Sequence, residues 1–368
     1  MERLSLACLF FLALAGCEAP PPIKIGFIGG VSGRFADLGG TGRNGALLAI
    51  EMRNQAGGID GRPVELLVRD DEQNPDTARA AVHELAAQGV AAIVGPMTSG
   101  IGAAIVPALE ETGLVAIAGT VTTTRLTGRD DPFFRVVAST RIYARHSAAE
   151  ALRRFNARRA AIIIDLSNRE YTESWAEDFQ AAFEAGGGQI LRIVRFDSRH
   201  ERHYREIAHQ ALTDNPDLIG LACNATDAGL LAQKLRQQTP EVALTGGGWT
   251  GSERLLELGG KAVEGMLVEQ YFNRGDTSPA YLQFQQAFQA RFGNEPGFAG
   301  VAGFDAANVA MAALAKSPRR ENLKQTLLAL RTFRGIQDEI RFDDFGDADR
   351  RQYLVEVRDG RFVPLPAP

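Results

Sequence analysis

The side chains best placed to do chemistry in this sequence are hydroxyls and one indole, and none has a catalytic base beside it. Met97-Thr98-Ser99-Gly100 lies just before a helix expected to start near Gly102. A helix N-terminus presents unpaired N–H groups and the positive end of the peptide dipole, so a turn of this kind suits an anion. Thr120 and Thr122 follow the apolar run Leu114 to Ala118, and threonine hydroxyls at a strand end suit a carboxylate. The bland readings are as simple: Ser99 fits a plain helix cap, and Thr120-Val121-Thr122-Thr123-Thr124 fits turn chemistry. Farther along, Trp249 stands in the loop Gly246-Gly247-Gly248-Trp249-Thr250. A flat indole in a glycine-lined cleft stacks on an apolar or aromatic body.

Catalytic and cofactor motifs are missing. The opening Gly26-Phe27-Ile28-Gly29-Gly30-Val31-Ser32-Gly33 fails the dinucleotide spacing, and the next acidic strand end, Asp70, comes about forty residues after the first strand's end. Arg43 stands where a phosphate-loop lysine would follow Gly39-Gly40-Thr41-Gly42. There is no G-x-S-x-G elbow and no H-E-x-x-H helix. His200, His203 and His209 cluster without an acid or cysteine at ligand spacing and read as a solvated helix face. A chain without a nucleophile, base or metal constellation is expected to bind rather than to catalyse, with no cofactor and no metal.

The elements that must position these residues belong to a chain of 368 residues with a net charge of −5 and 45% hydrophobic residues. That length suggests about two domains, large enough to bury a core without disulfide or metal staples. The mixed, mildly acidic balance offers no concentrated basic face and argues against a nucleic-acid partner.

Arg3 and the apolar run Leu4 to Leu14 have the form of a signal peptide and are too short to span a bilayer. The run ends in Leu14-Ala15-Gly16-Cys17, which resembles the lipobox of bacterial lipoproteins. The resemblance implies a leader over 1–17 and a diacylated Cys17 that anchors the protein in the membrane; an ordinary secretory cut nearby leads to the same compartment. Two or three acyl chains hold stably where one does not. Residues 18–22, with three prolines in Glu18-Ala19-Pro20-Pro21-Pro22, read as a stiff tether. No later apolar run is read as long enough to span. With Cys8 in the leader and Cys17 carrying lipid, Cys223 remains as a small core residue, and no disulfide or cysteine-built zinc site is left.

Apolar β-branched runs then alternate with helical patterns. Strands are expected at Ile23 to Ile28, Val64 to Arg69, Ala91 to Val94 and Leu114 to Ala118, with helices at Asn44 to Asn54, Thr77 to Gln88 and Gly102 to Thr112 between them. The pattern restarts with strands at Arg159 to Asp165, Gln189 to Phe196, Leu218 to Cys223, Val242 to Thr245 and Gly265 to Val268. Helices are expected at Thr172 to Glu184, Tyr204 to Leu212 and Ala228 to Gln237, and later at Pro279 to Phe292, Gly303 to Ala315 and Arg320 to Ala329. Glu339 to Phe342 and Gln352 to Val357 read as a closing strand pair, with Asp359-Gly360 as a turn after it. Such alternation implies α/β architecture: two doubly wound parallel-sheet domains. Sheets of this kind bind ligands beyond the carboxyl ends of their strands, and two of them face to face form a cleft.

Taken in order, the segments resemble the leucine/isoleucine/valine-binding protein family of type I periplasmic binding folds, over nearly all of the mature chain. The resemblance rests on Ile23-Lys24-Ile25-Gly26 with Ser32-Gly33, and on Asn54 followed by Ala56-Gly57-Gly58-Ile59-Asp60-Gly61-Arg62. It continues through Asp70-Asp71 with Pro75, Ile93-Val94-Gly95-Pro96 with Ser99, Glu264-Gly265-Met266 and Phe304-Asp305-Ala306. It implies a hinge crossed three times, a first lobe of 23–140 with 271–350, and a second of 141–270 with 351–365. It also implies an extracytoplasmic receptor that closes on a small carboxylate and hands it to an ABC permease in the inner membrane. The alternative is a sensor that signals to a chemoreceptor or kinase.

By the same resemblance Ser99 stands at the family's carboxylate-binding serine, with Thr120 and Thr122 as the second grip. Tyr171 takes the place of a cleft tyrosine. Asn224 and Trp249 lie at second-lobe strand ends, and Phe35 and Leu38 line the near wall. One departure matters. Amino-acid binders of the family hold the ligand ammonium with a carboxylate in the Gly246 to Thr250 region, and here Gly248 takes that place. An unpaired buried ammonium is expensive. Either another acid (Asp227, Glu170 or Asp305) has moved in, or the ligand is a carboxylate with an apolar body and no ammonium; the sequence favours the second. Asp227 and Asp305 read more simply as helix caps.

Overall fold

The computed structural model describes residues 20–200, 203–317 and 319–366. The leader and Cys17 lie outside the described residues, as do Glu18 and Ala19 of the tether. The first half runs β1 (Ile23–Gly29), α1 (Ala36–Gln55), β2 (Val64–Asp70), α2 (Pro75–Ala87), β3 (Ala92–Val94), α3 (Ser99–Thr112), β4 (Ala116–Ala118) and β5 (Phe133–Arg135). These strands form one parallel sheet in the order β2-β1-β3-β4-β5.

The chain continues through α4 (Thr140–Arg154), β6 (Arg159–Asp165), α5 (Arg169–Ala185), β7 (Gln189–Phe196), α6 (Tyr204–Leu212), β8 (Leu218–Ala222), α7 (Ala225–Gln238), β9 (Ala243–Gly246), α8 (Glu253–Gly259) and β10 (Leu267–Gln270). It returns to the first lobe with α9 (Pro279–Phe292), α10 (Gly297–Lys316), α11 (Leu323–Leu330), β11 (Thr332–Arg334), β12 (Glu339–Phe342) and β13 (Ala348–Asp349). It ends with β14 (Tyr353–Arg358) and β15 (Arg361–Pro364). The second sheet has the order β15-β14-β10-β9-β8-β6-β7. Its strands are parallel from β7 to β10, and β14 and β15 close it as an antiparallel edge. The fold is therefore two doubly wound α/β lobes, and the chain passes between them three times: after β5, after β10 and between β13 and β14.

The expected closing pair does not form. Glu339–Phe342 pairs with β11 and β13 in a small antiparallel sheet, and Tyr353–Arg358 pairs with β10 and β15 in the other lobe. Phe342 decides the first choice, since it packs edge-on against Phe134 of β5, with ring centroids 5.3 Å apart. Asp359-Gly360 does turn the chain, between β14 and β15.

Two helices begin earlier than their apolar pattern implies, α1 at Ala36 and α10 at Gly297. Both starts are rich in glycine, which ordinarily costs helix stability. Here the glycines serve close packing. A Cβ on Gly45 would lie 2.0 Å from Gly300 O, and one on Gly303 would lie 2.1 Å from Gly42 O. The helix Gly297–Lys316 is, against expectation, long and apolar enough by composition to cross a membrane; 83% of that window is buried against the rest of the protein, as in a core helix. Cys223 is fully buried, and His200, His203 and His209 are exposed.

Candidate functional site

The strand order of each sheet reverses at one point, between β1 and β3 in the first lobe and between β6 and β8 in the second. Ligands collect outside the carboxyl ends of strands at such points. The loops carrying the candidate residues all leave from those ends.

In the first lobe, α3 starts at Ser99, and Thr98 is its N-cap residue. The Thr98 hydroxyl donates to Gln73 Oε1 at 3.0 Å rather than capping the helix. Ser99 Oγ accepts the Thr122 N–H at 3.3 Å, and Thr120 Oγ1 donates to Met97 O at 2.5 Å. Ser99, Thr120 and Thr122 thus form one buried unit around the start of a 14-residue helix. Thr122 is fully buried, with its hydroxyl toward that of Tyr271. Next to it the Gly100 N–H donates to Asn168 Oδ1, 3.0 Å away and from the opposite lobe. A negatively polarised oxygen already sits where a helix N-terminus draws anions.

From the second lobe come Tyr171 and Trp249. The Tyr171 hydroxyl accepts the Trp249 N–H at 3.4 Å, and the rings meet edge to face with centroids 6.0 Å apart. Trp249 stacks on Phe35 of the first lobe at 5.7 Å. Leu38, Trp249 and Phe298 border both an inner cavity of about 10 Å³ and an outer one of about 610 Å³. The inner cavity also touches Ser99, Thr120, Tyr171, Asn168 and Tyr271, and the outer one touches Phe35 and Asn224. The inner space suffices for about one water. The lobes are held together by the Gly100–Asn168 bond, by Ser252 donating to Asp37 at 2.9 Å, and by Arg125 reaching Glu170 at 3.1 Å and Glu173 at 3.0 Å. This is a closed arrangement of the two lobes.

Asn224 caps α7: its Oδ1 accepts the Asp227 N–H at 3.0 Å while its Nδ2 donates to the Asp227 carboxylate. Asp227 is therefore not the cap; it lies in the first turn and also accepts from the Tyr204 hydroxyl at 2.6 Å. Asp305 is not a cap either. It lies inside α10, pairs with Arg350 at 2.5 Å and accepts the Ile336 N–H at 2.8 Å. Burial pushes its carboxyl above the ordinary range, with Arg350 opposing.

Sequence reasoning missed Asn168, Tyr271, Phe298 and Glu269. Phe298 was hidden by the late start assigned to α10, and Tyr271 and Glu269 by ending the last second-lobe strand at Val268. A Cβ on Gly248 would lie 2.3 Å from the Tyr271 ring and hydroxyl, so that ring occupies the space a side chain at 248 would need. Behind the loop, Glu269 is 1% exposed. It accepts from Ser147 Oγ at 2.7 Å, Trp175 Nε1 at 2.8 Å and Gly248 N at 3.1 Å. Burial pushes its carboxyl up to about 7 against those hydrogen bonds. Among the described residues, no group of three or more His, Cys, Asp or Glu is placed to hold a metal ion.

The sequence matches the family model described as periplasmic binding protein over residues 22–361. It is 27% identical over 264 residues to the Leu/Ile/Val-binding protein BraC3 of Rhizobium johnstonii, covering 71% of this chain and 70% of that one. The structure resembles the leucine binding protein LivK of Thermotoga maritima, with a TM-score of 0.86 at 24% identity over 94% of this chain and 98% of that one. It also resembles an ABC-transporter solute binding protein of R. palustris in complex with benzoate, with a TM-score of 0.83 at 19% identity over 94% and 95%. The chain belongs to the periplasmic binding protein family, whose members named here are solute-binding proteins and not enzymes. The family implies an extracytoplasmic location.

Proposed function

We propose that this periplasmic binding protein captures a small carboxylate bearing an apolar body and no ammonium group, and delivers it to an ABC permease. The lobes that close are 23–140 with 271–350 and 141–270 with 351–365. A leader over 1–17 and an acylated Cys17, with 18–22 as tether, hold it at the membrane. The ligand carboxylate is received by the α3 N-terminus with Ser99, Thr120 and Thr122. Its body lies against Tyr171 and Trp249, with Phe35 and Leu38 on the near wall and Asn224 toward the mouth.

The observation that carries the ligand class is the state of the acids. Glu170 is paired with Arg125, Asp227 is taken up at the start of α7, and Asp305 is paired with Arg350. Glu269 is surrounded by three donors behind the loop. No described carboxylate borders the inner cavity, where an α-ammonium would follow the carboxylate; Asp37, Glu253, Glu257 and Glu295 border only the outer one. Within this fold one neighbour is a leucine binding protein and another was solved with benzoate, so the architecture tolerates either ligand.

The test is a thermal-shift panel on protein unfolded and refolded to shed carried-over ligand, with leucine, isoleucine and valine beside 4-methylpentanoate and benzoate. A ligand at a thousand times its dissociation constant adds about 4 kcal/mol, which at about 2–4 °C per kcal/mol is readily seen. The amine-free acids are expected to raise the midpoint and the amino acids to leave it unchanged. The reverse result overturns the ligand class.

A further inference from the structure

Glu269 is a buried acid to which the family resemblance gives no role. It lies on β10, one residue before the strand's end, and its side chain joins three parts of the second lobe. Oε1 accepts from Ser147 of α4 and Trp175 of α5, and Oε2 accepts the backbone N–H of Gly248. The titratable groups facing it are Tyr143 from α4, Tyr171 and Asp178 from α5, and Tyr271 just beyond β10. In register on the neighbouring strand β14 it faces Leu354. Arg350 acts on Tyr143 but is itself paired with Asp305.

An ionised carboxylate is an acceptor only and can serve all three donors. A protonated one must turn one oxygen into a donor, and around Glu269 that donor would face other donors. The bond most easily given up is the longest, 3.1 Å to Gly248 N. Gly248 has no side chain to hold it, and the next residue is Trp249, whose ring spans the cleft from Tyr171 to Phe35.

We infer that Glu269 is a positioning residue for ligand capture: its carboxylate clamps the Gly248 peptide and thereby sets the Trp249 ring in the orientation that receives the ligand. This rests on the reading above in which Trp249 meets the ligand. Burial places the titration of the clamp near neutrality, at about 7. Above that the carboxylate is ionised and the loop is held; below it Gly248 is released. Affinity for a carboxylate ligand is therefore highest above neutral pH and falls about tenfold below it, the loss expected for one hydrogen bond to a charged group.

The chain has two tryptophans, Trp175 on the carboxylate and Trp249 on the loop, so intrinsic fluorescence reports the clamp without any ligand. The experiment titrates the ligand-free protein from about pH 5.5 to about pH 8.5 and measures benzoate and 4-methylpentanoate binding at both ends. A fluorescence transition near neutrality is expected, absent in Glu269→Gln. In Ser147→Ala, which loses one donor to the ionised form, it should move to higher pH. Binding should weaken in Glu269→Gln and lose its pH dependence. Superimposable curves for the wild type and Glu269→Gln overturn the inference, as does an unmoved midpoint in Ser147→Ala should Glu269→Gln not fold. If the transition behaves as stated but neither acid binds, the ligand class is wrong and the clamp stands.

Discussion

The buried pair Arg350–Asp305 offers the sharpest test of how the hinge is held. Arg350 lies between β13 and β14, where the chain makes its third passage between lobes. Its guanidinium meets Asp305 at 2.5 Å and donates to Val136 O at 3.0 Å, just after β5 at the first passage. The side chains are 2% and 1% exposed. In Arg350→Met, Asp305 is left as an uncompensated buried charge whose other hydrogen bond, among the described residues, comes from Ile336 N. Breaking such a pair by removing one partner costs about 3–5 kcal/mol, roughly 10 °C in midpoint for a lobe of this size. The cost depends on pH with a definite sign. Burial already raises the folded-state pKa of Asp305 above its ordinary value, so its stabilising contribution is complete below the ordinary carboxylate range and is lost as pH rises through the folded value. Without Arg350 that folded value climbs further, so the deficit of Arg350→Met should be large at neutral pH and shrink toward about pH 4. Thermal melts followed by circular dichroism at both pH values would show this. The double variant Asp305→Asn/Arg350→Met should be less damaged than Arg350→Met alone. A deficit under about 1 kcal/mol at neutral pH, or one unchanged by acid, would refute the reasoning.

Other outcomes follow from single positions. Asp71 is fully buried with Oδ2 unpartnered, and burial lifts its carboxyl from 3.8 to about 6. Asp71→Asn should therefore stabilise the fold above about pH 6 by up to about 3 kcal/mol and bring no gain below about pH 4, read from thermal melts. Gly45→Ala puts a Cβ against the backbone of Gly300, whereas a Cβ on Gly40 in the same helix meets nothing within 4 Å. The first should destabilise by at least the 1–3 kcal/mol typical of overpacking, and Gly40→Ala should stabilise by about 0.5–1 kcal/mol, both read by urea unfolding. Trp249→Ala removes the ring shared by the two cavities and should cost at least about 2 kcal/mol of ligand affinity by calorimetry; unchanged affinity would exclude Trp249 from the site.

Strand-and-helix alternation was legible where apolar or β-branched residues recur over a long enough run with clear ends. Arg159–Asp165, Gln189–Phe196, Tyr204–Leu212 and Pro279–Phe292 have the limits their patterns imply. What escaped was of two kinds. Strand β5 has three residues and α4 is rich in arginine, so neither shows a period long or apolar enough to stand out. The starts of α1 and α10 read as loops because glycine is a poor helix former in isolation. Their value appears only when Gly42 and Gly45 meet Gly300 and Gly303 across the helix crossing, a contact between residues some 250 positions apart that no local pattern encodes.

The site divides along the same line. Ser99, Thr120 and Thr122 sit at a strand end or a helix start, and local pattern suffices to bring such residues to the open edge of a parallel sheet. The residues behind that edge are fixed by tertiary packing. Gly248 looked like a deletion of charge from a familiar loop. In space it is an exchange: the Tyr271 ring lies where a side chain at 248 would point, and Glu269 holds the backbone from beneath. A carboxylate thus remains within hydrogen-bonding reach of the loop, bonded to the Gly248 N–H. An acid at position 248 would be set against the Tyr271 ring and hydroxyl, with the Glu269 carboxylate close behind the loop.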